Sequence, residues 1–276
     1  NEKTTKGNDV KILSFILMLY SFMFVGCEIK MWHNMNGDHG DCIKVQRYDR
    51  LESRYLTTGD YSALQQMNTD YPTETRTLIE KVLQLGTIED SEIHHRFLHY
   101  YQDTTLQRLI TDVEAEFNNI NDVNEQFTHA FSKLSKWFPN LPQPKIYSQI
   151  SSFDQSIIVG NGTIGVSLDK YMGEDYSLYK RFYTPEQTKT MYRGYIVPDA
   201  LSFYLLAQYS LDRNDTRPQI DRDLHMAKIW WVVNKATSKQ SYRNKFVDQV
   251  DKYMRAHPNI TYEELISTEN YKAMLP

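Results

Sequence analysis

Three histidines fall in one short stretch, His94, His95 and His99, and His95 and His99 stand four residues apart. On a helix that spacing puts both rings on one face, as in a zinc-peptidase helix. Such a helix also needs a glutamate directly after its first histidine to serve as general base. Arg96 stands there instead, so the run reads as an incidental or surface pair. His225 has Ile229 one turn on, which ligates nothing. There is no Gly-x-Ser-x-Gly nucleophile turn and no phosphate loop ending in Gly-Lys-Ser/Thr. Gly160, Gly162 and Gly165 have a dinucleotide-like spacing, but strand-forming residues follow them where a helix is required. The remaining chemistry lies in Asp169, Glu174 and Asp175. Paired acids after a strand could transfer protons or hold Ca²⁺; equally, they could cap a helix and solvate a loop, which is the expectation here. Tyr171, Tyr176, Tyr179, Phe182 and Tyr183 run through the same segment. Asp169, Tyr171, Glu174, Asp175 and Tyr176 are therefore the candidate interaction surface, for a protein partner or a sugar ring. No catalytic residue, metal ligand or cofactor is expected.

The other informative position is Cys27. Lys3, Lys6 and Lys11 precede an apolar run from Ile12 to Val25, and Gly26-Cys27 closes it. The run is shorter than the roughly 20 residues a spanning helix needs, and its order of basic patch, apolar segment, small residue and cysteine matches a bacterial lipoprotein signal. The expected organisation is a signal peptide over 1–26, lipidation of Cys27, a flexible tether over 27–44 and a globular domain over 45–276. Asn34, Asn36, Gly37, Asp38, His39 and Gly40 give the tether its polar character. With Cys27 acylated, Cys42 has no disulfide partner.

The chain has 276 residues, 41% hydrophobic and 24% charged, which suits a folded domain with a sizeable core. Its net charge of -4 and the lack of a basic stripe argue against nucleic acid as a partner. The 20 tyrosines suit an aromatic surface that is partly wet.

Hydrophobic spacing of three and four residues predicts helices from Pro72 to Gly86, from Asp90 to Tyr101, around Leu106–Phe117 and from Val123 to Trp137. Asn161-Gly162 separates two apolar runs, Ser156–Gly160 and Thr163–Leu168, which is the hairpin signal. With Lys145–Phe153 these runs predict a small antiparallel sheet. Helices resume after Pro198, from Ile220 to Lys235 and from Lys245 to Arg255. Thr261 and Glu264 form a capping-box pattern before the last short helix. The fold class is α+β, mostly helical: a single domain of amphipathic helices around a small sheet.

The central block is specific. Trp137-Phe138-Pro139-Asn140, Pro144-Lys145-Ile146-Tyr147, Ile150-Ser151-Ser152-Phe153 and Ile164 through Gly173 together resemble the gliding-motility lipoprotein family GldB. Val45-Gln46-Arg47-Tyr48-Asp49 (an opening strand in that resemblance), Ile196-Val197-Pro198-Asp199, Met226-Ala227-Lys228-Ile229 and Tyr253 through Pro258 also fit. The resemblance is to a shortened homologue from a Bacteroidetes-type bacterium, with less sequence between Lys235 and Lys245. It implies a lipid-anchored, non-catalytic envelope protein that faces the periplasm, from the outer rather than the inner membrane, and supports an envelope machine with protein partners. It also implies a layout similar to zinc-dependent peptidases without their metal motif. The alternatives are a degenerate or cryptic peptidase-like hydrolase and a glycan-binding lipoprotein.

Overall fold

The computed structural model describes residues 42–160, 162–212 and 216–275. Helix α1 (Tyr48–Thr58) ends at Gly59, whose φ of 69° closes the last turn through its N–H to the Tyr55 carbonyl. Helix α2 (Tyr61–Asp70) is capped by Asp60, whose side chain accepts the Ser62 N–H. Helix α3 (Pro72–Arg76) runs on as a π-helical segment (Thr77–Val82). Then come α4 (Ile93–Tyr100), α5 (Thr104–Glu116) and α6 (Asn121–Trp137). Strands β1 (Lys145–Gln149), β2 (Ile157–Gly160) and β3 (Thr163–Ser167) follow. The chain closes with the short α7 (Pro185–Thr188), α8 (Ile196–Gln208), α9 (Gln219–Thr237), α10 (Lys245–Ala256) and α11 (Tyr262–Ser267). The described residues make a mostly helical α+β domain, as expected. The Thr261–Glu264 capping box forms as read, with both reciprocal bonds present.

The sheet differs from expectation. Its order is β1-β3-β2, and it is mixed: β2 and β3 form the antiparallel hairpin, but β1 lies parallel to β3. A hairpin turn fixes only the strands it joins. The link over residues 150–156 carries the chain past the place β3 later fills. Ile146, Tyr147, Ser148 and Gln149 of β1 are all buried, so both faces of the strand are covered, as is usual for parallel pairing. Gly165 is needed at the β1–β3 contact: a Cβ there would lie 2.5 Å from the Tyr147 ring. Gly162, at φ 74°, supplies the left-handed turn residue of the hairpin.

The N-terminal edge of the described residues also differs. The segment Val45–Asp49 is no strand. Only Gln46 bridges to Tyr147, and Tyr48 already begins α1. Of the segment 27–44 expected as a tether, residues 42–44 are described, and Ile43 among them is buried. Its N–H donates to Thr128 Oγ1 at 3.0 Å, and that of Val45 to Asn124 Oδ1 at 2.9 Å. Cys42 is exposed and free. The expected signal segment and Cys27 lie outside the described residues.

Helix α9 organises the C-terminal half. Apolar residues occupy several of its sides, Leu224, Ala227, Ile229, Val232 and Val233 among them, as a helix packed on many sides requires. It packs against α6, α8, α10 and α11, while α8 rests on the hairpin.

Candidate functional site

The acidic segment after β3 divides at Asp169. This residue sits in a 3₁₀ turn (Leu168–Lys170) and is fully buried. Its carboxylate accepts the backbone N–H of Ser151 at 2.9 Å and of Phe153 at 2.6 Å, with the Ser151 hydroxyl also against it. Ser152 and Phe153 have φ of 55° and 68°, in the left-handed region that non-glycine residues rarely occupy. The buried carboxylate compensates that strain by satisfying the amides the turn exposes.

Other side chains converge on the same loop. Glu52 of α1, also fully buried, accepts the Ile150 N–H at 2.8 Å through Oε2, while Oε1 has no hydrogen-bond partner. The Tyr101 hydroxyl donates to the Ile150 carbonyl at 2.8 Å. The Phe153 carbonyl accepts from Tyr183 at 2.6 Å and from Lys170 at 3.2 Å. Asp49 takes the Ser148 hydroxyl at 2.5 Å and is gripped by Arg47 at 2.7 Å. Burial drives the Glu52 carboxyl well above the usual range, and the neighbouring Asp169 and Asp49 charges add to this against the Ile150 amide. Burial also raises Asp169, opposed by its two amide donors. Burial lowers Lys170.

The expected interaction surface is therefore only partly a surface. Asp169 and Tyr171 are buried, Tyr176 is half-buried, and Glu174 and Asp175 are exposed. The Tyr171 hydroxyl donates to Asp199 at 2.9 Å and that of Tyr176 to Asp112 at 2.7 Å. Tyr176, Tyr179, Tyr183 and Phe153 meet edge-to-face, with centroids 5.1 to 6.3 Å apart. The reading of Asp169 and Tyr171 as contact residues is corrected on this ground: their polar atoms serve the loop and the core.

The histidines are placed as follows. His95 and His99 are exposed on α4 with rings stacked 6.3 Å apart. His225 is buried. Its Nε2 lies 2.8 Å from the Tyr209 carbonyl, and its Nδ1 lies 3.3 Å from the Tyr271 hydroxyl. A carbonyl only accepts, so Nε2 carries the proton. One turn away Lys228, fully buried, donates to the carbonyls of Ile266 at 3.0 Å and Thr268 at 2.5 Å, closing the C-terminal end of α11. Burial pulls its ammonium down to about 8. Among the described residues no group of three or more His, Cys, Asp or Glu is placed to hold a metal ion.

A family model described as gliding motility protein GldB matches residues 35–247. The chain belongs to that family. No curated protein and no solved structure matches it. The GldB match takes in every acid of the loop knot (Asp49, Glu52 and Asp169), the hairpin and all of α9. Among the described residues, no helix is long and apolar enough to cross a membrane.

Residue spacing alone does not single out Glu52 or Lys228 for chemistry. Both carried a signal. Asp49 and Glu52 share the α1 face that buries Tyr48, Tyr55 and Leu56, which puts two acids at core positions. Lys228 stands in the run Ala227-Lys228-Ile229-Trp230-Trp231-Val232-Val233, where a buried lysine is the natural reading.

Proposed function

We propose that this GldB-family protein is a lipid-anchored, non-catalytic component of the cell envelope, held at the outer membrane facing the periplasm. Its task on this reading is to support assembly of a gliding or secretion machine through protein partners. The observation that carries the proposal is the family match over residues 35–247. The state of the acids favours it: Asp169 and Glu52 are fully buried and committed to backbone amides, whereas acid/base catalysis needs a carboxyl within reach of substrate. Glycan binding through Tyr171 and Tyr176 finds no support, since Tyr171 is buried and Tyr176 is tied to Asp112.

Cys27→Ala tests the anchor. The substituted protein should leave the membrane fraction, because one or more acyl chains, each buried CH₂ contributing about 0.8 kcal/mol, are then missing. Unchanged partitioning would contradict the proposal. Stoichiometric zinc in the purified protein would overturn its non-catalytic part.

A further inference from the structure

A half-buried carboxylate in the C-terminal half is arranged differently. Asp199 lies in the first turn of α8, where Asp199, Ser202, Phe203 and Leu206 form one stripe along the helix. Met226 and Trp230 face them from α9, and Tyr242 closes one end. These side chains line a cleft of about 140 Å³. Phe203 is 47% exposed at its rim, a large aromatic ring left in water. Trp230 and Tyr242 stack with centroids 5.0 Å apart, so the wall is flat and rigid.

The polar atoms of the floor are incompletely used. Asp199 accepts the Tyr171 hydroxyl at 2.9 Å and the Tyr242 hydroxyl at 2.5 Å, one on each oxygen. A carboxylate offers about four acceptor positions, so about two remain. Neither a lysine nor an arginine among the described residues pairs with it. Ser202 is buried; its hydroxyl lies against that of Tyr242 without a well-formed hydrogen bond. Burial holds the Asp199 carboxyl above its ordinary range, opposed only by the two tyrosine hydroxyls. A floor with spare acceptors and an apolar, aromatic wall calls for a ligand with a hydrocarbon stem and a cationic donor at its tip.

We propose that the α8–α9 cleft binds the side chain of a lysine presented by a partner protein. The ammonium sits at Asp199 and Ser202, and the four-carbon stem lies between Phe203, Leu206, Met226 and Trp230. Size agrees, since a cavity of about 150 Å³ takes a benzene-sized group, and the lysine side chain has a similar number of heavy atoms. The aromatic wall adds cation–π attraction. A purely apolar side chain would leave the spare acceptor positions of Asp199 dehydrated and unfilled. Arginine fits poorly, because its planar head carries five N–H donors and Asp199 has only about two acceptor positions to spare. The chain's net negative charge favours a basic partner. The inference deepens the proposed supporting role by giving it a class of partner. For its setting in the envelope it rests on that role; the binding itself is tested in solution and does not depend on membrane attachment.

The test uses the full chain in detergent with ¹⁵N-labelled tryptophan, titrated with Nα-acetyl-lysine N-methylamide. The Trp230 indole N–H, assigned by its loss in Trp230→Phe, should shift saturably in the millimolar range suited to so small a ligand. The Nε-acetyl-lysine, norleucine and arginine counterparts should bind about tenfold more weakly or not at all, the scale of a lost charged hydrogen bond. Asp199→Asn should weaken lysine binding about tenfold, and Ser202→Ala about threefold. The other indole signals and a cooperative unfolding transition close to that of the parent would show that both variants fold. The proposal is overturned if the lysine derivative gives no saturable shift, if the norleucine derivative matches it, or if folded Asp199→Asn binds as before. Tighter binding of a free diamine such as putrescine would overturn the assignment to a protein lysine.

Discussion

Asp169 is fully buried and Asp199 half-buried, and both stand near the start of a helical segment among tyrosines. They differ in what they hold. Asp169 holds backbone: two N–H groups of a turn whose residues sit at φ of 55° and 68°. Asp199 holds two tyrosine hydroxyls and borders a cleft. A backbone N–H can only donate, whereas a hydroxyl can donate or accept. The first acid is irreplaceable to the fold, and the second has acceptor capacity to spare. Burial alone does not separate a structural acid from a binding one; the kind of donor around it does.

Amide substitution breaks the pair apart most forcefully. Asp169→Asn replaces one acceptor oxygen by NH₂, so one of the two amides faces a donor and is left unpaired. We expect a loss of about 3 kcal/mol in urea unfolding. Asp199→Asn lets one tyrosine hydroxyl turn round and accept from the new NH₂, and should cost less than about 1 kcal/mol.

Next in size is Lys228, the buried cation of the C-terminal half. Lys228→Met keeps the stem but strips the carbonyls of Ile266 and Thr268 of their donor. A lowering of stability by about 2 kcal/mol is expected, read as a fall in thermal midpoint.

Glu52 sharpens the comparison through pH. Its folded pKa stands above its unfolded value, so the folded state binds the extra proton. The contribution of Glu52 is then fully present below the usual carboxylate range, and it is lost as pH rises through the raised folded value. Glu52→Gln should therefore flatten the decline of stability from about pH 5 upward by roughly 1 kcal/mol. A slope remains, because Asp169 and Asp199 are raised as well. Urea midpoints over a pH series provide the check; an unchanged slope would count against the assignment.

The smallest stability effect belongs to the cleft rim. Phe203→Ala removes an exposed ring, so stability should change by no more than about 0.5 kcal/mol. Binding of the lysine derivative should fall all the same.

Much of the helical frame was legible because amphipathic periodicity is a local signal. The faces built on Val123, Phe127, Ala130 and Phe131, and the Thr261–Glu264 cap, appear where the spacing put them. The β2–β3 hairpin was legible for the same reason, being set by the two-residue turn. The parallel placement of β1 was not, since it depends on a strand laid down after the intervening loop. Helices α1 and α2 escaped because polar residues interrupt their apolar stripes: the buried face of α1 includes Asp49, Glu52 and Ser53. The same mixing hid the loop knot. Asp169 was visible as an acid near aromatics, but its direction is fixed by Ser151 and Phe153, whose amides are freed only by the left-handed turn.

The most direct test measures both acids in both ways: urea unfolding and lysine-derivative titration on Asp169→Asn and Asp199→Asn. The account predicts that Asp169→Asn loses about 3 kcal/mol while its folded fraction still binds. It predicts that Asp199→Asn keeps its stability and binds about tenfold more weakly. If Asp199→Asn is as destabilised as Asp169→Asn and its folded fraction binds unchanged, the distinction between the two acids is wrong.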